Sequence, residues 1–217
     1  MIKAIIFDME GVLIDSLEYM WGSRNQYFKE KFGFELTKEE IASMIGISLE
    51  DQLAMIGEKH NVELDYQTCS DEFKIRQFNL MKDQISPNVS ARKFIEKVLN
   101  DDLKIAVCSH NIRENVVKGL KIVQLDTLFE TVITIEDIKM HKPHPNSLIL
   151  TAEKLGVEPS ECMVIEDSPK GIIAIKNANM VAIGYQTKYN SRESLLEAGA
   201  DLVIDKLEDL DLDEFIS

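Results

Sequence analysis

The sequence is poor in cysteine and contains no cluster of metal-binding thiols. Only three cysteines occur among the 217 residues, at Cys69, Cys108 and Cys162, and they are widely separated. The sequence contains no C-x-x-C pair, and no histidine cluster accompanies the cysteines. Neither a zinc site nor a disulfide framework is therefore predicted. A reducing, cytoplasmic environment is the simpler expectation.

Long apolar runs and an excess of basic residues are also missing. No run approaches the roughly 18 apolar residues of a membrane span, and the first residues, 1–4, lack the layout of a signal peptide. Lysine and arginine number 24 against 38 acidic residues, which gives a formal net charge of −14. A nucleic-acid-binding protein normally carries a basic face, and an anionic membrane would repel this chain, so neither partner is expected.

The chain does contain short apolar runs of the length of buried strands. Hydrophobic residues make up 45% of the sequence and charged residues 29%, which is typical of a globular protein. Helical segments separate the runs: Ser90 is predicted to cap one helix, and Ser168-Pro169 opens another. Strands that alternate with helices predict an α/β fold with a Rossmann-like parallel sheet. The predicted strands cover residues 2–7, 103–108, 131–133, 162–165, 181–183 and 202–204.

One stretch interrupts the alternation of strands and helices. Between about Ser16 and Lys82 we find only helical signals, among them a capping box from Thr37 to Glu40 and a second cap at Ser48. This block falls between the first strand and the others, so it predicts a small helical domain inserted into an α/β core. We place the core at residues 1–15 and 84–217 and the helical domain at residues 16–83.

Polar side chains follow several of the predicted strands. Asp8 directly follows the first strand, Ser109 follows the second, and Glu166 and Asp167 follow the fourth. Ligands of an open parallel sheet bind beyond the carboxyl ends of its strands, so these residues are expected to converge there. Lys142, in the segment after the third strand, is expected to join them. Because turns favour aspartate, one polar residue after a strand is unremarkable. Several such residues after different strands indicate a site.

This combination of residues is typical of phosphoryl transfer. A carboxylate can act as a nucleophile and form an aspartyl-phosphate. Several carboxylates at one site repel each other and an incoming phosphate, so a hard cation is required, and Mg²⁺ favours carboxylate oxygens. Lys142 and Ser109 would stabilise the charge on the transferring group.

Four ordered motifs resemble those of the haloacid dehalogenase superfamily. The segment FDMEGVLIDS at residues 7–16 resembles the first motif, FDxDGVLxDS, and Ser109 matches the second. HKPHPN at residues 141–146 resembles the third, GKPxPD, and VIEDS at residues 164–168, followed by Gly171, resembles the fourth. The resemblance covers essentially the whole chain and points to the β-phosphoglucomutase-like and phosphoglycolate-phosphatase-like branch.

The resemblance implies a phosphoric monoester hydrolase with a helical cap domain inserted into a Rossmann-like core. Asp8 would be the nucleophile, and Glu10 would be the general acid and base and would offer its backbone carbonyl to the metal. Backbone N–H groups near His110 would help to bind the phosphoryl group. The implied assignments are Asp8, Glu10, Ser109 and Lys142 for catalysis, Ser109, His110 and Lys142 for substrate binding, and Asp8, Glu10, Glu166 and Asp167 for Mg²⁺.

Glu10 is the largest departure from the family pattern, because the family's phosphotransferases have aspartate there. The added methylene moves the carboxyl group, so we expect slower or altered catalysis rather than none. A catalytically impaired binding protein is the alternative that this residue leaves open. Leu49 and Met20 stand where mutase-like relatives carry a basic residue and a histidine. They favour hydrolysis of a small phosphomonoester, of the sugar phosphate or phosphoglycolate type, over β-phosphoglucomutase-like transfer, which also stays open.

Two other classes fit the sequence less well. A signalling receiver domain uses similar residues but needs only about half this length and no helical insertion after its first strand. A dehalogenase is disfavoured by Glu10 and by the phosphatase-style Gly11-Val12. The expected partner is a small phosphorylated metabolite, with neither nucleic acid nor membrane, and the chain is expected to be a monomer or weak dimer.

Overall fold

A computed structural model of the chain describes residues 1–15, 17–44, 49–73, 76, 86–88 and 90–216. Strands and helices alternate through most of these ranges. The strands are β1 (Ala4–Phe7), β2 (Ile14–Asp15), β3 (Ser86–Pro87), β4 (Lys104–Cys108), β5 (Thr131–Ile133), β6 (Cys162–Glu166), β7 (Val181–Tyr185) and β8 (Leu202–Ile204). The α-helices are α1 (Leu17–Phe32), α2 (Lys38–Met44), α3 (Leu49–His60), α4 (residues 66–73), α5 (Ala91–Asn100), α6 (Arg113–Ile122), α7 (Asn146–Leu155), α8 (Pro169–Asn177), α9 (Arg192–Glu197) and α10 (Asp213–Ile216). Short 3₁₀ helices cover Ile135–Asp137, Pro159–Glu161 and Leu207–Asp209.

Six of the strands form one parallel sheet, in the order β5-β4-β1-β6-β7-β8. Strand β1 is central, and its side chains alternate between two buried faces. Ile5 and Phe7 join the core beneath α5 and α6, whereas Ala4 and Ile6 join the core beneath α7, α8 and α9. Helices on both faces explain why β1 is apolar throughout and why the interiors of the other strands are apolar. The α/β fold with a Rossmann-like sheet is confirmed, and each of the six predicted strands is present.

The two predicted helix caps differ in outcome. Ser168 caps α8 as predicted, because its Oγ accepts a hydrogen bond from the Gly171 N–H at 3.0 Å. The cap predicted at Ser90 is wrong. Its backbone is already helical, with φ −88° and ψ −13°, and its Oγ donates to Asn88 Oδ1 at 2.9 Å instead of accepting from α5.

Helices α1 to α4, described at residues 17–44 and 49–73, follow β2 and precede β3; we call them the helical insertion. Strands β2 and β3 pair antiparallel, with Asp15 opposite Ser86, so the chain leaves and re-enters the core at neighbouring points. Asn88 strengthens this junction, since its Nδ2 donates to the Val12 carbonyl at 2.8 Å. The predicted boundary between residues 83 and 84 and the predicted cap at Ser48 lie outside the described residues.

The helical insertion has an apolar cluster of its own, centred on the rings of Trp21, Phe28 and Phe73. The predicted capping box opens α2: the Glu40 N–H donates to Thr37 Oγ1 at 3.2 Å, and the Thr37 N–H donates to Glu40 Oε2 at 2.7 Å. Within the described ranges, no helix combines the length and the apolar character needed to cross a bilayer.

Candidate active site

The carboxyl ends of the three central strands meet at one edge of the sheet. Phe7, the last residue of β1, lies opposite Val107 of β4 and Ile165 of β6. Because the strands are parallel and in this register, the residues that follow them share the same edge. The Asp8 N–H donates to the Ile165 carbonyl at 3.0 Å, which extends the pairing of β1 and β6 by one residue. The convergence predicted for these polar residues is therefore present.

Lys142 joins two of these strand ends through its ammonium group. Its Nζ donates to Asp8 Oδ1 at 2.7 Å and to Glu166 Oε2 at 2.6 Å, and all three side chains are buried. Burial opposes the charge of the lysine, but Asp8 and Glu166 outweigh it and raise the pKa of Lys142 well above its ordinary value. The lysine therefore stays protonated and holds the two carboxylates together.

Asp8, Glu166 and Asp167 form a buried acidic trio whose ligand atoms all lie within 4.8 Å of one another. Burial, followed by the charges of Glu166 and Glu10, raises the pKa of Asp8 to about 8 against the opposing effect of Lys142. Burial and the charge of Glu166 also raise the pKa of Asp167 well above its ordinary value. One lysine thus does not offset three ionised carboxylates, and without a cation Asp8 and Asp167 hold their protons to a higher pH than usual.

One oxygen of the acidic trio is available to a cation. Asp167 Oδ2 is buried and, within the described ranges, has no hydrogen-bond partner. An unpartnered buried carboxylate oxygen is costly unless a cation satisfies it, and Mg²⁺ prefers such hard oxygen ligands. Once all three carboxyl groups are ionised, they would leave an excess of two negative charges beside the one ammonium of Lys142. The donor set therefore fits a hard divalent cation.

Glu166 is locked in place by the first turn of α8. Its Oε1 accepts from the Ser168 N–H at 3.0 Å and from Ser168 Oγ at 2.7 Å. The carboxyl group lies directly against Gly171, where a Cβ atom would stand 2.0 Å from Glu166 Cδ. Glycine is required at this position because any side chain would displace the carboxylate.

Glu10 lies in a tight turn after β1 and points to the loop after β4. The turn is closed by Leu13 and Ile14, whose N–H groups donate to the Met9 carbonyl at 3.0 and 3.1 Å. Ser109 Oγ donates to Glu10 Oε2 at 2.8 Å, and Ser109 itself is buried. The carboxylate of Glu10 therefore faces Ser109 rather than the acidic trio, and a metal contact through its backbone carbonyl stays a prediction.

Asn111 is a second anchor for Glu10 that the sequence analysis missed. Its Nδ2 donates to Glu10 Oε1 at 2.8 Å. Its own Oδ1 accepts from the Ile112 N–H at 2.8 Å and from Asn115 Nδ2 at 3.0 Å, which fixes the orientation of the amide. Asparagine near a strand end is common in turns. The sequence feature that could have indicated Asn111 is the extra methylene of Glu10, because the longer side chain can reach a hydrogen-bond donor beyond Ser109 in the loop after β4.

Asn190 is the other missed residue at this edge. Its Nδ2 donates to the Asp167 carbonyl at 2.6 Å and to the Tyr185 carbonyl at 3.1 Å. It thereby ties the loop after β7 to the loop after β6. No local pattern could identify it, because it meets Asp167 across 23 positions of the sequence.

His110 lies beside the site without a hydrogen-bond partner for its buried Nε2. Its ring stands edge-on to His141, with 5.7 Å between the ring centres. Burial, followed by the charges of Lys142 and His141, lowers the pKa of His110 to about 3, so its imidazole is neutral at neutral pH. Its contact with substrate stays a prediction.

Comparison with known proteins decides the family. The family model of haloacid dehalogenase-like hydrolases matches residues 5–185. The chain belongs to this family. The predicted family and the predicted class of enzyme, a hydrolase of the phosphatase type, are therefore confirmed.

Relatives and solved structures of haloacid dehalogenase-like hydrolases match along nearly the whole chain. A putative pyrophosphatase PpaX from Clostridium perfringens (strain 13 / Type A) is 30% identical over 215 residues, which cover 99% of this chain and 98% of the relative. A β-phosphoglucomutase structure from Clostridium difficile has a TM-score of 0.82 and 27% identity and covers 99% of this chain and 95% of its own. A predicted phosphoglycolate phosphatase from Haemophilus somnus has a TM-score of 0.85 at 20% identity, with 96% of each chain covered, which shows a shared fold.

Proposed function

We propose that the chain is a Mg²⁺-dependent phosphatase that hydrolyses a small phosphomonoester through an aspartyl-phosphate on Asp8. The observation that carries this proposal is the contact of Asp8 Oδ1 with Lys142 at 2.7 Å beside the rest of the acidic trio. A carboxylate held by one oxygen keeps the other oxygen for attack on phosphorus. The names of the relatives, a pyrophosphatase and a phosphoglucomutase, support phosphoryl chemistry.

The proposed reaction has two steps that use Asp8 and Glu10. In the first, a carboxylate oxygen of Asp8 bonds to phosphorus while the bond from phosphorus to the leaving oxygen breaks. Glu10 enters this step protonated and gives its proton to the leaving oxygen, so the alcohol departs. In the second, Glu10 takes a proton from water as the water oxygen bonds to phosphorus. The bond between phosphorus and Asp8 then breaks, which releases inorganic phosphate and restores the carboxylate.

Charge neutralisation is assigned to Lys142 and to the cation site. The acidic trio, with the backbone carbonyl of Glu10, would hold Mg²⁺, which when bound supplies positive charge beside the reacting phosphoryl group. Lys142 would hold Asp8 in position for attack and neutralise part of the charge on the phosphoryl oxygens.

Ser109 would bind the phosphoryl group, and Asn111 would orient the carboxyl group that transfers the proton. The Ser109 hydroxyl, which now donates to Glu10, is the donor that a phosphoryl oxygen would take over. Asn111 would then keep hold of Glu10 Oε1 and direct the carboxyl group toward the leaving oxygen. The extra methylene of Glu10 is thus matched by a donor of its own, which favours a working acid over an impaired one.

We further propose that the helical insertion belongs to a cap domain over residues 16–83, on a core of residues 1–15 and 84–217. The paired strands β2 and β3 support this division, because both connections to the core pass through them. A cap that closes over the substrate would exclude bulk water from the aspartyl-phosphate. The proposed substrate is a sugar phosphate or a phosphoglycolate-type ester rather than nucleic acid. The three cysteines are free and buried, which supports a reducing, cytoplasmic setting.

The test is a screen of sugar phosphates, phosphoglycolate and nucleotides with Mg²⁺ and with a chelator. We expect turnover only with Mg²⁺. Asp8→Asn should abolish turnover, whereas Asp101→Asn, which removes the same charge at an exposed position, should leave it unchanged. Turnover by the Asp8→Asn variant would overturn the assignment of the nucleophile. Transfer of the phosphoryl group to a second sugar rather than to water would support the mutase alternative.

A further inference from the structure

The helical insertion contains a cation that no carboxylate of the described residues neutralises. Arg24, on α1, donates from Nη1 to Gln52 Oε1 at 2.6 Å, and its guanidinium carbon lies 4.7 Å from the ring centre of Trp21 and 5.3 Å from that of Phe73. Its Nε is buried and has no acceptor in the part of the chain that the structure describes. Burial lowers the pKa of Arg24 to about 10, which still leaves the side chain charged at neutral pH.

The lack of a counter-ion sets Arg24 apart from the other arginines. Each of the others forms a salt bridge with at least one carboxylate, and Arg24 forms none with the described residues. This is notable in a chain with a net charge of −14, where acidic partners are abundant. The paired arginines are Arg76 with Glu30 and Glu72, Arg92 with Glu96, Arg113 with Asp137, and Arg192 with Asp205.

Trp21 supplies a second buried donor without an acceptor. The residue is only 1% exposed, and its Nε1 has no hydrogen-bond partner among the described residues. Residues three apart in a helix lie on the same face, and the guanidinium carbon of Arg24 is 4.7 Å from the Trp21 ring centre, so the two unpartnered donors belong to side chains in contact. A buried donor left without an acceptor is costly. Two of them side by side, one charged, point to an anionic ligand that accepts from both.

The helical insertion lies close to the proposed catalytic edge. Tyr189 packs against the apolar cluster that contains Trp21. The next residue, Asn190, donates to the carbonyl of Asp167 in the acidic trio. The cluster around Trp21 therefore adjoins the loop that borders Asp167.

We propose that Arg24 and Trp21 bind a second oxyanion, a carboxylate or phosphate, of the substrate whose phosphoryl group reacts at Asp8. This inference rests on the proposed phosphatase function and narrows its substrates to those with two anionic groups. A guanidinium offers a planar fork of N–H donors that matches an oxyanion, and the indole N–H adds a third direction. Leu49 and Met20 stand where mutase-like relatives carry a basic residue and a histidine, and neither is basic. Arg24 would supply a positive charge for the substrate from a different position.

The test compares substrates that differ only in a second anionic group, such as phosphoglycolate and ethyl phosphate, or a hexose bisphosphate and a hexose monophosphate. We expect the wild type to prefer the member with two anionic groups in at least one pair. Arg24→Met should lower kcat/KM for that member by about 10- to 100-fold, the loss of a charged hydrogen bond, and leave the other member unchanged. Lys29→Gln removes an exposed charge from the same helix and should change neither member.

Two further variants separate binding from folding. Trp21→Phe removes the N–H and keeps a smaller aromatic ring in the cluster, and Arg24→Lys keeps the charge and removes the fork. Both should fold as judged by thermal unfolding, and both should weaken the preference for the substrate with two anionic groups. A purely structural Arg24 would lower the thermal stability while the substrate preference stayed intact, and that result would overturn the proposal.

A direct binding measurement distinguishes failure of this inference from failure of the phosphatase assignment. If the wild type hydrolyses no phosphoester, both the proposed phosphatase function and the proposed class of substrates are wrong. Calorimetric titration with inorganic pyrophosphate then decides the oxyanion site by itself. If pyrophosphate binds the wild type and binds Arg24→Met more weakly, the oxyanion site is supported. Equal binding to the two proteins, or no binding to the wild type, would overturn the oxyanion site.

Discussion

The side-chain amide of Asn111 donates a 2.8 Å hydrogen bond to Glu10 Oε1 across 101 positions of the sequence. The amide cannot turn around without losing two other bonds, because its Oδ1 accepts from the Ile112 N–H and from Asn115. Ser109 holds the other oxygen of Glu10. Both carboxylate oxygens of Glu10 thus accept hydrogen bonds from the loop after β4.

Replacing Asn111 with alanine should lower kcat and leave KM nearly unchanged. The proposed role of Asn111 is to direct the proton donor, and a positioned acid or base contributes about 10²–10⁴-fold, of which this variant should lose a part. Steady-state kinetics on the best substrate of the screen measures the effect. Asn100→Ala, at the exposed end of α5, is the control. An unchanged kcat in Asn111→Ala would remove Asn111 from the mechanism.

Two substitutions of Glu10 distinguish a working acid from an impaired one. Glu10→Gln cannot transfer a proton and should lower kcat by about 10²–10⁴-fold. Glu10→Asp is one methylene shorter and should lose its contact with Asn111, so we expect it to be slower than the wild type. A silent wild type combined with an active Glu10→Asp would support the alternative of a catalytically impaired binding protein.

Replacing Gly171 with alanine should displace the carboxylate of Glu166 from Lys142. The new Cβ would stand 2.0 Å from Glu166 Cδ and 2.3 Å from Oε2. We expect a loss of about 1–3 kcal/mol in the free energy of unfolding, as for other overpacked sites, together with weaker stabilisation by Mg²⁺. Urea unfolding with and without the metal measures both effects.

Gly22→Ala is the matched control for Gly171→Ala. Gly22 lies on an exposed part of α1, and a Cβ there meets no atom within 4 Å. Alanine is favoured over glycine in a helix interior by about 1 kcal/mol, so this variant should be slightly more stable than the wild type. Equal stability losses in the two variants would contradict the steric role of Gly171.

Asp8 should make the metal-free protein less stable as the pH rises from the ordinary aspartate pKa of 3.8 to about 8. Burial raises the pKa of Asp8 to about 8, so over this window Asp8 retains a proton in the folded chain that it has released in the unfolded chain. The contribution of Asp8 to the free energy of unfolding therefore decreases with rising pH, whereas the lowered pKa of His110 adds an opposite slope between about 3 and its ordinary value of 6.5. Denaturant titrations in a chelator measure this slope, and Asp8→Asn should reduce it. A slope that is the same in both proteins would contradict the raised pKa.

Much of the fold follows from local patterns in the sequence. The β-branched runs at the six strands of the sheet are continuous because helices bury both faces, and this made them recognisable. The placement of Asp8, Lys142 and Glu166 at one edge followed from a general property of parallel sheets. Strands β2 and β3 were not predicted, because two residues each are too few to show a period.

The unpredicted parts of the site depend on contacts between distant segments. Asn111 and Asn190 both occupy turns, where asparagine is common for local reasons. Their partners, Glu10 and the Asp167 carbonyl, are brought to them by the register of the sheet. Ser90 shows the opposite case, since a local rule predicted a cap and the nearby side chain of Asn88 took the hydroxyl instead.

The most direct test of the central claim is mass spectrometry of enzyme quenched during turnover. Glu10→Gln is mixed with Mg²⁺ and an activated phosphoester whose leaving group needs no proton, so that phosphorylation proceeds and hydrolysis is slowed. We expect one phosphoryl group on the peptide that contains Asp8, released by hydroxylamine and absent when Asp8→Asn is added to the same variant. A phosphoryl group on another residue, or turnover without any phosphorylated enzyme, would contradict it.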